Sequence, residues 1–284
     1  MKGSDAMELV VTKLIDQIEA GAGEWRMPWQ GDFTGMPRNA ETKAQYRGGN
    51  VIACWLEAEA KGYHDQTWAT YRQWSHLDGQ VRKGEHGLHL VKWTSVPDRA
   101  SDTGEQRMIP NGFVVFNIAQ VDGLPEPVVD DTLVVTDFAP EALCYMLDAV
   151  PAQCAVGRPS YSPSLDRVMM PPIESFVSPL AYYAVLAHEY VHWTGHADRL
   201  ARDLANRFGS DAYAVEELIA ELGAAFICHS YGIDVADRPD HAQYLTSWCS
   251  VLREKPNVLW TVASKAQAAM DHLETYVKAS MLVS

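Results

Sequence analysis

Positive charge is in short supply in this chain: 23 Lys and Arg stand against 37 Asp and Glu over 284 residues, a formal net charge of −14. A surface of that sign repels phosphate and acidic lipid at long range, which excludes a generally polybasic binder of nucleic acid or membrane. Cysteine is sparse too. Cys54, Cys144, Cys154, Cys228 and Cys249 form an odd set with no C-x-x-C spacing, so neither a disulfide framework nor a thiolate zinc site is signalled. No apolar run nears the roughly 20 residues needed to cross a bilayer, and stretches such as IESFVSPLAYYAVLA are broken by Glu174 and Pro179. The opening MKGSDAMELVVTKLIDQIEAG has helical amphipathic spacing and lacks a basic start before a long apolar run, so it reads as a helix and not as a signal peptide. Repeats, heptads and low-complexity tracts are absent. These absences lead us to expect a soluble, cytoplasmic protein.

What is present divides into two halves. Residues 1–125 carry 13 basic against 16 acidic side chains and residues 126–284 carry 10 against 21, so any nucleic-acid surface belongs in the first half. After the first helix, residues 21–50 are rich in Gly, Pro, Asn and aromatics, a helix follows at about 50–61, and the pattern then turns β-rich, with GLHLVKW and GFVVFNI as the clearest strands. LPEPVVDD supplies two prolines and an acidic cluster. We therefore place a first α+β domain at 1–125, a linker at 126–135 and a second domain at 136–284. The second domain reads as mainly helical. A short helix is expected at Ala139–Val150, a turn and strand at Pro159–Pro172, and a helix at Pro179–Thr194 with Ser178 as N-cap and Gly195 as its stop. Further helices follow from Ser210, a candidate N-cap, to Gly232, and near 241–253 and 257–276. The prolines ending Tyr161–Pro172 mark that segment as an edge strand, able to align a peptide by main-chain hydrogen bonds.

The strongest chemical signal is His188-Glu189-Tyr190-Val191-His192, an H-E-x-x-H motif inside an expected helix. At 3.6 residues per turn the two histidines share a face and can grip one ion, while Glu189 lies beside them as a base for water. Five letters arise by chance; the capped helix around them and the acidic helix that follows give them weight. For the third ligand we favour Glu217, with Glu221 four residues on as acceptor for the second ring nitrogen of a liganding histidine. Like charges at that spacing destabilise a bare helix, and a buried dication compensates both. Asp198 competes, since HEYVHWTGHAD also reads as H-E-x-x-H-x-x-G-x-x-D. Two imidazoles, one carboxylate and an open position suit Zn²⁺, with another divalent ion such as Mn²⁺ as the alternative. Glu189 would then take a proton from activated water and return it to the leaving amine of a peptide. Tyr161, His196, His229 and Tyr244 are the candidates for polarising the carbonyl, with Tyr161 and His196 carried forward as catalytic candidates beside Glu189.

Between residues 37 and 93 the sign of charge reverses locally, with 8 basic against 6 acidic side chains interleaved with aromatics. Single strands are held in this way without sequence readout, bases stacking on rings and phosphates meeting cations. The candidate DNA-binding residues are Arg38, Asn39, Tyr46, Arg47, Asn50, Trp68, Arg72, Arg82 and Lys83. Trp and Tyr at such spacing are also ordinary core residues, and Asn39 and Asn50 sit among turn formers.

Over nearly its full length the chain resembles the ArdC family of antirestriction proteins of plasmids and phages. PRNAETKAQYRGGN, WATYRQW, GQVRKGEHG and VFNIAQVDGL resemble the family's N-terminal single-strand DNA-binding domain, and YSPSLDRVMMPP, HEYVHWTGH and EELIAEL its zincin-like peptidase domain. One departure is Gly49, where the family carries an apolar residue. The resemblance implies protection of incoming DNA from restriction, with His188, His192 and Glu217 as metal ligands and Glu189 as base. Single-stranded DNA is the implied partner, a host or restriction-related protein a second. Two alternatives stay open: a metallopeptidase that cleaves a host or regulatory protein without binding DNA, and a non-catalytic DNA-coating protein with a structural metal site.

Overall fold

Helix α1 (Gly3–Ala20) places Ala6, Val10, Val11 and Leu14 on one buried face, the i, i+4 stripe expected of a helix laid on a core. Opposite it α2 (Gly49–Lys61) buries Val51, Ile52, Trp55 and Leu56, and the Lys13–Glu57 ion pair at 2.6 Å joins the two helices. These observations come from a computed structural model that describes residues 2–20, 35–97, 105–124, 138–204, 211–233 and 242–281. The expected linker 126–135 and the N-cap Ser210 lie outside the described residues. The chain divides into two compact units, 1–33 with 37–128, and 34–36 with 129–284.

In the first unit β1 (Arg38–Asn39), β2 (Thr67–Ala69), β4 (Leu88–Pro97) and β5 (Gln106–Asn117) form one sheet in the order β1-β2-β5-β4, while β3 (Gln80–Val81) pairs with β6 (Val121–Asp122). The β4–β5 ladder runs from Leu88↔Val115 to Pro97↔Gln106. Short α3 (Tyr71–His76) is started by a capping box between Thr70 and Gln73. Trp55, Trp68 and Trp74 are fully buried around these elements.

The second unit combines α4 (Phe138–Asp148), α5 (Pro179–Thr194), α6 (Asp211–Ser230), α7 (Ala242–Glu254) and α8 (Val258–Met281) with a sheet of β7 (Gln153–Val156), β8 (Ser160–Ser162) and β9 (Arg167–Met170). The α+β first unit and mainly helical second unit are the architecture expected from sequence. Helix α6 is buried continuously from Leu218 to His229, the pattern of a central helix enclosed by its neighbours. The strand expected over Tyr161–Pro172 needs a correction. Arg167–Met170 is the middle strand, parallel to β7 and antiparallel to β8, so the edge next to this turn is Ser160–Ser162. Pro171 and Pro172 follow the last paired residue and remove no ladder bond. Among the described residues no helix is long and apolar enough to cross a membrane.

Candidate metal centre

Ser178 Oγ accepts from Ala181 N at 3.1 Å and Pro179 occupies the first turn, which fixes where α5 begins and hence which face carries the histidines. His188 and His192 stack one turn apart with ring centroids at 4.8 Å and planes at 82°. Helix α6 lies close across this face because Gly223 has no side chain: a Cβ there would fall 2.7 Å from Val191 Cγ2. That close approach presents Glu217. His188 Nε2 is 3.7 Å from Glu217 Oε2, and His192 Nε2 is 3.6 Å from Glu217 Oε1.

The other ring nitrogens face carboxylates as well. His188 Nδ1 is 3.4 Å from Glu221 Oε2, and His192 Nδ1 is 3.2 Å from Glu216 Oε1. With an acid facing each Nδ1, the Nε2 atoms of the two rings are the ones left to meet a ligand. Burial opposes the charged form of Glu217, but the His188 hydrogen bond and the charges of both imidazoles outweigh it and hold its pKa at about 2. Glu216 is likewise lowered despite burial, by His192 and Arg202.

His188, His192 and Glu217 each offer one ligand atom, all within 4.8 Å of one another. Bonds of about 2.1 Å around a tetrahedral ion set ligand atoms about 3.4 Å apart. The two histidine–glutamate separations are near that value, so the donor set fits a divalent ion. Glu189 is buried at 6% exposure on the same turn as His188.

Asp198 stands apart from this group: its side chain is 86% exposed. Two glycine expectations differ in mechanism. Gly232 (φ +67°) follows α6 in the left-handed conformation, whereas Gly195 keeps φ −76° and is small because a Cβ would sit 2.9 Å from Arg202 Nη2. Of the polarising candidates, Tyr161 is engaged elsewhere and His196 is bonded within its own turn. Tyr161 Oη donates to Asp166 at 2.7 Å and accepts from Arg199 at 3.2 Å, and His196 Nδ1 accepts from the Asp198 amide at 3.2 Å. His229 is buried on α6, twelve residues past Glu217 and so about 18 Å along the axis. The Tyr244 side chain lies outside the described residues.

Sequence reasoning overlooked Glu216 and Arg202. Arg202 grips Glu216 through Nε at 3.0 Å and Nη2 at 2.9 Å. The signal available was a third acid beside Glu217 on a helix otherwise buried.

In the first unit the structure separates the DNA-binding candidates. Trp68 is a core residue at 0% exposure, with Nε1 directed at Gln66, and presents no ring face to a base. Asn50 is also corrected: its amide donates to Val91 O at 2.8 Å and accepts from Val91 N at 2.9 Å, acting as one more strand residue. Asn39 Oδ1 accepts from the amides of Glu41 and Thr42, each at 3.0 Å, making a turn, while Nδ2 donates to Tyr46 and Gln73. Asn39, Tyr46 and Arg72 line one concavity of about 490 Å³. Arg82 and Lys83 line another of about 570 Å³ with Tyr71, a residue 53% exposed. Arg82 is held by Glu85 at 2.8 Å and Asp122 at 3.2 Å. Arg38 is exposed and donates to Thr67 Oγ1 at 3.2 Å; Arg47 is exposed.

An H-E-x-x-H helix set against an acidic helix, following an α+β unit in the chain, defines a bipartite protein with a zincin-like second unit. Family models agree on both units: one described as the N-terminal domain of anti-restriction factor ArdC matches residues 4–116, and one described as a zincin-like metallopeptidase matches residues 142–265. An uncharacterized protein, y4eC, of Sinorhizobium fredii is 42% identical over 94% of this chain and 91% of its own length. A DNA primase TraC of Escherichia coli is 35% identical over 94% of this chain, which spans 20% of the primase. The metal-free crystal structure of the antirestriction ArdC protein from plasmid R388 superposes with a TM-score of 0.79 at 38% identity, covering 96% of this chain and 98% of that one. Its Mn(II)-bound structure gives 0.76 at 39% identity, covering 95% and 97%. The chain belongs to the ArdC antirestriction family.

Proposed function

We propose that this protein shields single-stranded DNA from restriction by binding it with the first domain, residues 1–125, while the second, residues 136–284, holds a divalent ion on His188, His192 and Glu217. The supporting observation is the convergence of both Nε2 atoms on Glu217 with both Nδ1 atoms facing buried acids, in a chain that matches an ArdC antirestriction protein from end to end. Zn²⁺ suits two nitrogens and one oxygen, and Mn²⁺, present in the relative's crystal, is the alternative occupant.

For DNA, the surface on either side of α3 offers one exposed ring, Tyr71, between concavities that carry Arg72 and Lys83. Glu85 and Asp122 neutralise Arg82, so stacking contributes more than charge, with Arg38, Tyr46 and Arg47 as outlying contacts. Fluorescence anisotropy with matched single- and double-stranded oligonucleotides tests this domain; equal, negligible binding of both would overturn it.

The metal site has two uses to decide between. The engagement of Tyr161 by Asp166 and Arg199 favours a DNA-coating protein in which the ion stiffens the second domain. Glu189 supports a second reading, peptide hydrolysis of a host or restriction-related protein. A bound divalent ion supplies Lewis-acid chemistry to water and carbonyl. Glu189 then accepts a proton from water and delivers it to the leaving amine, while Glu216 and Glu221 hold the two imidazoles in place. Glu189→Gln keeps the ligands and removes the base. Full protection of DNA by that variant identifies coating; loss of protection with DNA affinity intact identifies hydrolysis.

A further inference from the structure

The segment that leaves α5 turns back on it at once. Leu200 N donates to Thr194 O at 2.9 Å, Ala201 N to His196 O at 3.0 Å and Arg202 N to Gly195 O at 2.9 Å. The turn forces Ala201 to φ +47°, a left-handed conformation that costs a non-glycine residue about 1 kcal/mol or more. It is held there by those three bonds, and its result is to aim Arg202 inward.

All three nitrogens of the Arg202 guanidinium donate. Nη2 donates at 2.6 Å to Val191 O in the last turn of α5, a carbonyl that also accepts from Thr194 Oγ1 at 2.6 Å, and Nη1 donates to that same hydroxyl oxygen at 2.9 Å. Nε and Nη2 take both oxygens of Glu216. The side chain is 4% exposed. Glu216 Oε1 is in turn the atom that faces His192 Nδ1. A carboxylate gripped at both oxygens by a planar fork has one rotamer open to it.

We infer that Arg202 is a positioning residue for His192: anchored on the α5 terminus, it fixes the Glu216 carboxylate, and Glu216 fixes the ring so that Nε2 points at the ion site. The inference rests on the metal reading of the site. Lysine cannot replace it fully, having no fork to hold both Glu216 oxygens and the α5 carbonyl together. Beside the pair lies a cavity of about 360 Å³ lined by Arg202, Glu216, Val215 and Ile219, which gives small solutes a route to the carboxylate.

The test is Zn²⁺ affinity of the full chain, measured by competition with a chromophoric chelator. Arg202→Ala is expected to weaken binding about 10- to 100-fold, the usual effect of removing a partner behind a ligand. Glu216→Ala is expected to weaken it similarly, and the double variant no more than the worse single one. Low millimolar guanidinium is expected to restore affinity in Arg202→Ala and not in the double variant, a rescue that a purely structural role would not show. Arg202→Lys, which keeps a buried cation, serves if the alanine variant fails to fold and should fall between. Failure of the parent to bind Zn²⁺ or Mn²⁺ would end the metal reading itself. A parent that binds, with Arg202→Ala and Arg202→Lys within twofold of it, or additive losses without rescue, would overturn this inference alone.

Discussion

A ring can stack on a base only if one of its faces meets solvent, and Trp68 and Tyr71, three residues apart, differ in that respect. Trp68 is enclosed against Tyr63 with ring centroids at 6.0 Å, whereas Tyr71 is held edge-on to Phe116 and anchored by Gln80 at 2.9 Å, with its outer face open. Tyr71→Ala should therefore lower single-strand affinity by about 1–3 kcal/mol without changing the melting temperature. Trp68→Ala should cost about 3–5 kcal/mol of stability. Anisotropy and urea denaturation on both variants separate the two; a binding loss confined to Trp68→Ala would contradict the assignment. Asp166 offers a residue-level test by acid. Its hydrogen bonds from Arg199, together with that from Tyr161, hold its pKa at about 2 against an ordinary 3.8, burial opposing. A lowered carboxylate stabilises the fold above its unfolded pKa, so the contribution is complete above about pH 4 and vanishes as pH falls from 3.8 toward 2. Denaturation curves across pH 2–5 should show Asp166→Asn flatter than the parent in that window.

Among elements, the crossing of α5 and α6 governs the site, and one glycine sets it. Gly223→Ala places a methyl group against Val191, between the two histidines in sequence, and should cost about 1–3 kcal/mol through overpacking while weakening metal binding. Val191→Ala added to it should recover both, by denaturation and by metal titration. The histidine pair and Glu217 were legible in the sequence because helical spacing is a local property: i and i+4 share a face whatever surrounds them. Glu216, one position away, was not. Its role depends on Arg202, delivered by a strained turn that no periodicity announces. The same limit explains Trp68 and Asn50, whose types suit either a DNA surface or a core until the sheet is assembled. It also explains the middle position of Arg167–Met170, since β7 is a partner contributed from earlier in the chain. Gly195 ends α5 as expected, and the property it supplies there is small size next to a guanidinium, with a right-handed backbone.

At the scale of the whole molecule, each compact unit has its own core, and the candidate ligands all come from the second. The ArdC relative superposes about equally well in its metal-free and Mn(II)-bound forms, with TM-scores of 0.79 and 0.76, so in that relative the scaffold exists with and without the ion, and we expect an ion to add stability to the present one rather than to create it. An ion present at 100 times its dissociation constant contributes about 2.7 kcal/mol to the folded form. For a domain of this size that corresponds to a melting shift of about 5–10 °C. Calorimetry of the full chain should accordingly show chelation lowering the transition of the second domain by that amount, with the first left in place. DNA should do the reverse, raising the first transition alone, because residues 126–284 carry 10 basic against 21 acidic side chains and repel the strand. Equal displacement of both transitions by chelator would show that the ion stabilises the domains together, and the division of labour between them would have to be given up.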